Sequence, residues 1–415
     1  VNIVAIGHKD VIRPPARVPG TPLADETAAA PAVHSVVKFH APEIVFGVGA
    51  LAESGFAAAR LGARRPFVVT DDGVHDAGWV HELLGHLRDV GLTPTVWRGV
   101  TPNPKDTEIT EGYHRYAESG CDVLVAIGGG SVMDAAKGIA ILSGNGGSIL
   151  DYAGVDQVMH PIPPLLMIPT TSGTGADVSQ FCIVTDTGRS VKITIMGRAL
   201  VPDTSITDPR LLTTMPDWLN AATGLDALTH GIEAFVSLAH NPLADGHALS
   251  AVRLVSRFLP ATIVDPRDME SRQHMAQASL EAGLAFTNAI LGATHAMSHQ
   301  VGGLLDLPHG VINGILLPHV ISYNTRATPG RFRELALAIG LPVAGAPIDE
   351  VADILSDYVR RLADEVGVPR GLRDIGVSDG DIPRLALSTL EDACLTTNPR
   401  GADADDIESL FRAAM

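Results

Sequence analysis

The sequence predicts an α/β chain in which a doubly wound parallel sheet over residues 37–215 precedes an all-helical domain over residues 216–415. Three observations predict it. Short apolar runs alternate with amphipathic segments of helical period up to Pro216; strand-like runs almost vanish beyond it; and loops of small residues follow two of the apolar runs. A chain of 415 residues is long enough to build two cores.

Residues 1–36 contain Pro14-Pro15, Pro19-Gly20 and Ala28-Ala29-Ala30-Pro31 without helical or strand period, and read as a flexible extension. No charged start leads into a long apolar core, so no secretory signal is expected. Residues 36–39 and 43–46 read as the strands of a hairpin-like entry, and 51–60 as a helix. Residues 66–71 form a buried strand ending in Asp71, followed by a helix at 79–90, a strand at 95–97 and a helix at 107–119. A strand at 122–127 leads into Gly128-Gly129-Gly130-Ser131 and a helix at 132–140. The strand at 165–169 ends in a second loop, residues 170–175, and strand-like pieces follow at 180–185 and 192–195. Helices then continue to the C-terminus, with breaks expected near Pro242, Pro260, Pro266, Pro318, Pro342 and Pro369.

Composition limits the partners. Hydrophobic residues make up 46% of the chain, yet no apolar run is long enough to span a bilayer. A formal charge of −17 opposes binding to nucleic acid or anionic membranes, so an anionic ligand must be held by backbone N–H groups or single cations. Cys121, Cys182 and Cys394 are few, odd in number and widely spaced, which fits reduced thiols in a cytoplasmic protein.

Gly128-Gly129-Gly130-Ser131 stands between a strand and a helix. Glycines let backbone N–H groups approach an anion, and the helix adds the positive end of its dipole, so a pyrophosphate fits there. The loop is neither GxGxxG nor a Walker loop, and a plain tight turn is the other reading. Thr170-Thr171-Ser172-Gly173-Thr174-Gly175 adds hydroxyl donors at the end of a second strand, and two such loops on one sheet suggest a dinucleotide. Asp71 can accept from an adenosine ribose and repel a 2′-phosphate, favouring NAD over NADP; as a cap beside Asp72 and Gly73 it has a local role instead. The candidate cofactor residues are Asp71, Gly129, Gly130, Ser131, Asp134, Thr170, Thr171 and Lys192.

Histidines cluster in the helical half. His295 and His299 are four residues apart, about 40° around a helix, so both can face one cleft. A break is expected at Gly302-Gly303 and Pro308, with His309 at the entrance of the next helix. Asp226 and His230 share a helical face in the same way, although such a pair is also a common salt bridge. Together with His295 and His309 they supply one oxygen and three nitrogens, a set that suits Fe²⁺ or Zn²⁺ and suits Mg²⁺ or Ca²⁺ poorly. A divalent ion there makes a bound alcohol more acidic, and a nicotinamide beside it completes hydride exchange.

These residues resemble the iron-containing (group III) alcohol dehydrogenases, the family of lactaldehyde reductases and 1,3-propanediol dehydrogenases. The resemblance runs from about residue 37 to 415 through Asn103-Pro104, the Gly128 to Lys137 loop and helix, the Pro169 to Gly175 loop, Asp226 to His230, His295 to His309 and Asn398-Pro399-Arg400. It implies a Rossmann-like dinucleotide domain with a helical metal domain, and metal ligands at Asp226, His230, His295 and His309. It also implies cofactor contacts at Asp71, Gly129, Gly130, Ser131, Thr170 and Thr171, and a histidine near nicotinamide and substrate at His299. Ala176-Asp177-Val178 stands where the family pattern has Ser-Glu-Val, keeping an acid but shortening it.

The function expected is an NAD- and metal-dependent alcohol dehydrogenase acting on a small primary alcohol or diol and its aldehyde, in a homodimer or larger homo-oligomer, with His299 relaying a proton. Three rivals stand beside it: a glycerol dehydrogenase-like or dehydroquinate synthase-like relative, a metallohydrolase without a nucleotide, and a non-catalytic metal-binding protein.

Overall fold

Period-two alternation along the central strands builds both faces of the main sheet. In the strand Val123–Gly128, Val123, Val125 and Ile127 pack with Val68, Leu166, Ile168 and Ile206 on one face, while Leu124 and Ala126 pack with Phe67, Val69 and Met167 on the other. Burial on both sides explains why these strands read as unbroken apolar runs. The computed structural model describes residues 37–189 and 191–415, so the extension expected at 1–36 lies outside them, and Lys38–Met415 form one compact unit.

The strands are β1 (Glu43–Phe46), β2 (Pro66–Val69), β3 (Thr95–Trp97), β4 (Val123–Gly128), β5 (Gly154–Val155), β6 (Leu165–Pro169), β7 (Phe181–Asp186), β8 (Val191–Met196) and β9 (Thr204–Thr207). Helices α1 (Ser54–Arg60), α2 (Asp72–Asp76), α3 (Trp79–Asp89), α4 (Asp106–Ser119) and α5 (Gly130–Asn145) alternate with them. All helical after β9 are α6 (Asp217–Val236), α7 (Pro242–Val264), α8 (Met269–Ala289), α9 (Ala293–Leu305), α10 (His309–Asn324), α11 (Pro329–Ala338), α12 (Ile348–Glu365), α13 (Ile382–Thr389) and α14 (Ala404–Ala413), apart from short 3-10 turns. No described helix is long and apolar enough to cross a membrane.

The main sheet is parallel, in the order β1-β9-β6-β4-β2-β3; β5, β8 and β7 form a second, mixed sheet. From β2 the chain goes to β3 on one side and then crosses to β4 on the other. This reversal opens a crevice at the strand ends, where ligands bind in such sheets.

Several expectations need correction. Residues 37–42 are not a strand, and β1 pairs in parallel with β9 rather than in a hairpin, because the edge of the sheet is completed by a distant segment. The strand before Asp71 ends at Val69, and Asp71 caps α2 through Val74 N–H at 2.8 Å. Helix α7 continues through Pro260, with the Ser256 carbonyl four residues back accepting from Tyr358 Oη at 3.3 Å. Helix α10 continues through Pro318, held by burial along most of its length against α6 and α12. Helix α9 runs through Gly302 and Gly303, and the break falls at Asp306, which takes a left-handed conformation at φ 53°.

Candidate functional site

The site begins as one stripe of α6. Asp226 and His230 are one turn apart and buried, with side-chain exposures of 2% and 5%. Helix α9 brings in His295, 2% exposed, and the first residue of α10 brings His309, 31% exposed and so on the open side. Close backbone approach makes this convergence possible. A Cβ on Gly310 would lie 2.1 Å from Ala222 O, and one on Gly173 would lie 2.2 Å from Thr223 O, so only glycine lets α10 and the 170–175 loop touch α6 beside Asp226.

All three imidazoles present Nε2 to the Asp226 carboxylate: His295 at 3.4 Å, His230 at 3.8 Å and His309 at 3.4 Å. Donor atoms bound at about 2.1 Å around one tetrahedral ion stand about 3.4 Å apart. Asp226, His230 and His295 bring ligand atoms within 4.8 Å of one another, a spacing and donor chemistry that fit a first-row divalent ion, and His309 approaches from the open side through Asp226 Oδ2.

The far side of each buried ring is fixed. His295 Nδ1 donates to Glu233 Oε2 at 2.6 Å and His230 Nδ1 donates to Gly173 O at 3.2 Å, which leaves both Nε2 atoms turned to Asp226. Burial alone would depress the His295 pKa, but hydrogen bonds to Asp226 and Glu233 hold it at about 9. Burial takes His230, which lacks a carboxylate behind it, down to about 3. Burial opposes ionisation of Asp226 too, yet the charges of His230 and His309 and hydrogen bonds from His295 and His309 keep it well below the ordinary carboxylate range. A proton on His295 thus sits where a cation can replace it. Asn313 donates to Asp226 Oδ1 at 2.9 Å, while its own Oδ1 is buried without a partner.

Glu233 carries a second duty. Its carboxylate accepts from the backbone N–H groups of Gly292, Thr294 and His295 at 3.2, 2.6 and 3.4 Å, capping α9, whose N-cap residue Gly292 has no side chain to do so. Asn398 accepts from Ala293 N–H at 3.1 Å.

The dinucleotide candidates Gly129, Gly130, Ser131, Thr170 and Thr171 lie just beyond the ends of β4 and β6. Strands β4 and β6 are neighbours, Thr170 N–H donates to Gly128 O at 2.9 Å, and the two small-residue loops face each other. A Cβ on Gly130 would meet Thr174 Cγ2 at 2.8 Å, and one on Gly129 would meet Thr171 Cγ2 at 3.1 Å. Helix α5 starts at Gly130 without a side-chain cap, and Thr171 Oγ1 is buried without a partner. Uncapped N–H groups and a spare hydroxyl around a glycine cradle fit a phosphate group.

Every candidate named from the sequence, including His299, Asp134 and Lys192, lines one cavity of about 750 Å³. His299 does not join the groups around Asp226; its Nδ1 donates to Asp392 Oδ2 at 2.9 Å, and its ring centroid stands 6.1 Å from that of His295. Burial pushes Asp134 up to about 7, with Lys137 and Lys192 pulling the other way. Lys192 is brought down to about 8 by burial, and its Nζ donates to Asn103 Oδ1 at 2.8 Å. Ser131 Oγ accepts from Asn103 N–H at 3.1 Å. Asp177, the shortened acid, is buried and accepts from Ser205 Oγ at 2.7 Å.

Sequence reasoning missed Glu233, Asp392 and Asn313, and it named Asn103 and Lys137 only as parts of motifs, without a role of their own. Only Lys137 left a local trace, as a cation among apolar helix residues; it is fully buried, and its Nζ donates to Ser179 O and Phe181 O at 2.8 Å each.

The family model described as "Iron-containing alcohol dehydrogenase" matches residues 41–209, and that described as "Fe-containing alcohol dehydrogenase family, C-terminal" matches residues 220–415. A 1,3-propanediol dehydrogenase of Citrobacter freundii is 40% identical over 371 residues, covering 89% of this chain and 96% of that protein. An NAD-dependent methanol dehydrogenase of Bacillus methanolicus is 37% identical over 377 residues, covering 91% and 99%. A crystal structure of a 1,3-propanediol oxidoreductase superposes with a TM-score of 0.89 at 39% identity, covering 92% of this chain and all of that one.

Proposed function

Because the chain belongs to the iron-containing alcohol dehydrogenase family and is by that membership an oxidoreductase, we propose that it is a divalent-metal- and NAD-dependent dehydrogenase of a small primary alcohol or diol and its aldehyde. Asp226, His230, His295 and His309 would hold the ion, Fe²⁺ or Zn²⁺. When bound, the ion supplies Lewis acidity and the nicotinamide a hydride acceptor or donor. The observation that carries the reading is the convergence of three Nε2 atoms on one carboxylate, in the cavity that the two glycine-containing loops also line.

The chain's own residues have distinct tasks in this reading. Glu233 and Gly173 O orient the imidazoles; Gly129, Gly130 and Ser131 offer N–H groups to a pyrophosphate, with Thr170 and Thr171 opposite; Asp71 keeps a carboxylate in the cleft that disfavours a 2′-phosphate. His299, with Nδ1 occupied by Asp392, exchanges the alcohol proton through Nε2. The NAD assignment is supported by the name of the Bacillus methanolicus relative, and a reducing cytoplasm by the three free cysteines. Exposed Ile44 and Phe46 on the edge strand β1 support self-association.

The test is a panel of alcohols and aldehydes with NAD and NADP on protein reconstituted separately with Fe²⁺ and Zn²⁺. An alcohol-dependent rise at the NADH absorbance band, greater with NAD than NADP, is expected. No rise with either metal would refute the proposal.

A further inference from the structure

Of the three tryptophans, one stands open to solvent. Trp97 is buried and Trp79 is half-buried with Nε1–H donated to Thr214 Oγ1 at 2.9 Å, whereas Trp218 is 60% exposed. An indole exposed to that extent leaves much of its apolar face without a partner.

Its place relative to the cleft is specific. Residues 218, 222, 226 and 230 of α6 all line the cavity, and steps of four keep them on one stripe of the helix. Eight residues separate Trp218 from Asp226, about 12 Å along the axis. The stripe therefore runs from the metal candidates, past the contact between Gly173 and Thr223, to the indole. The Trp79–Thr214 hydrogen bond fixes the segment before α6 against the start of α3, beside the short helix that Asp71 caps. Asp71, Gly73 and Trp218 line the same cavity, and the Trp218 end of the stripe on α6 is the one away from His230. A dinucleotide with its pyrophosphate on the glycine loop and its nicotinamide beside Asp226 has its adenosine half at this end.

We infer that Trp218 stacks on the adenine and supplies a large part of the affinity for the adenosine half, an inference that rests on the dinucleotide reading above. An indole face accepts a purine ring without reading its edges, and it is covered only when the ligand arrives.

Calorimetric titration with ADP-ribose, which lacks the nicotinamide, and with NADH tests this on the native protein, Trp218→Ala and Trp218→Phe. Trp218→Ala weakens both ligands about tenfold, some 1.4 kcal/mol, and Trp218→Phe retains most of the affinity. ADP-ribose also changes the tryptophan emission of the native protein, and Trp218→Phe loses that response. If ADP-ribose binds the native protein and Trp218→Ala equally well, the role of Trp218 is overturned while the dinucleotide reading stands. If the native protein binds neither ligand, both are overturned.

Discussion

Replacing Glu233 by glutamine separates two duties that one carboxylate performs. Four donors meet it: the N–H groups of Gly292, Thr294 and His295, and His295 Nδ1–H. Glutamine keeps the shape but turns one acceptor into a donor. With its oxygen kept on the His295 side, its NH₂ faces the Thr294 N–H, and the remaining bonds lose their charge assistance. An unsatisfied buried N–H costs about 1–3 kcal/mol and each of the three remaining charged bonds made neutral costs about 1 kcal/mol, so a net loss of about 4–6 kcal/mol is expected. For about 380 residues the unfolding entropy is about 0.8 kcal/mol per kelvin, which places the fall in Tm at about 5–8 K. If His295 is a metal ligand as proposed, loss of the group that orients its imidazole is also expected to lower metal affinity by about 10–100-fold. Calorimetry on chelator-treated protein measures the first effect, and Zn²⁺ titration against a competing chelator the second. Unchanged Tm and affinity together would refute the reasoning; a lowered Tm with native Zn²⁺ affinity would leave Glu233 as a helix cap alone.

His309→Ala is expected to remove bound metal and activity together, measured by metal content and NADH formation; an active, metal-free variant would sink the ligand assignment. His299→Ala is expected to lower the rate by about 10²-fold or more and to change the shape of the pH–rate profile, whereas an unaltered rate and profile would rule out proton transfer. Asp134 keeps its proton in the folded protein up to about pH 7, where the unfolded chain has already lost it. Its contribution to stability is therefore full below the ordinary carboxylate range and is lost as pH rises through about 7. Negative charge then appears in the cleft near the glycine loop, so NADH affinity falls over the same interval. Asp134→Asn abolishes that step, and titrations of both proteins at several pH values that show the same pH dependence would contradict it.

What the sequence made legible was whatever depends on neighbours along the chain. The apolar runs of β2, β4 and β6 appear because burial on both faces leaves no polar alternation, and Asp226 and His230 share a face because four residues complete a turn. The glycine loop is visible because it joins two strongly patterned elements. Glu233 lies 62 residues from His295 and Asp392 lies 93 from His299, and no periodicity links such positions. Breaker residues misled in the other direction. Gly302 and Gly303 stay helical because α9 packs on through them, and a Cβ on Gly302 would stand 3.3 Å from Lys192 Nζ. Asp71 illustrates a role that remained divided: its Oδ1 takes up the capping duty that the local pattern allows, and the residue still lines the cleft.

The 170–175 loop shows why the two halves of the site are not independent. On one side Thr171 and Thr174 press against the positions of Gly129 and Gly130. On the other, the backbone of Gly173 lies on that of Thr223, and its carbonyl accepts from His230 Nδ1. A group seated on the N–H donors of the glycine loop is therefore one loop and one hydrogen bond away from an imidazole facing Asp226. A side chain at position 173 would have to push α6 aside, and because Asp226 and His230 share that helix, both would move together. The sequence places Gly173 only in a loop that fits a phosphate; its stricter requirement comes from α6, where no room exists for a Cβ.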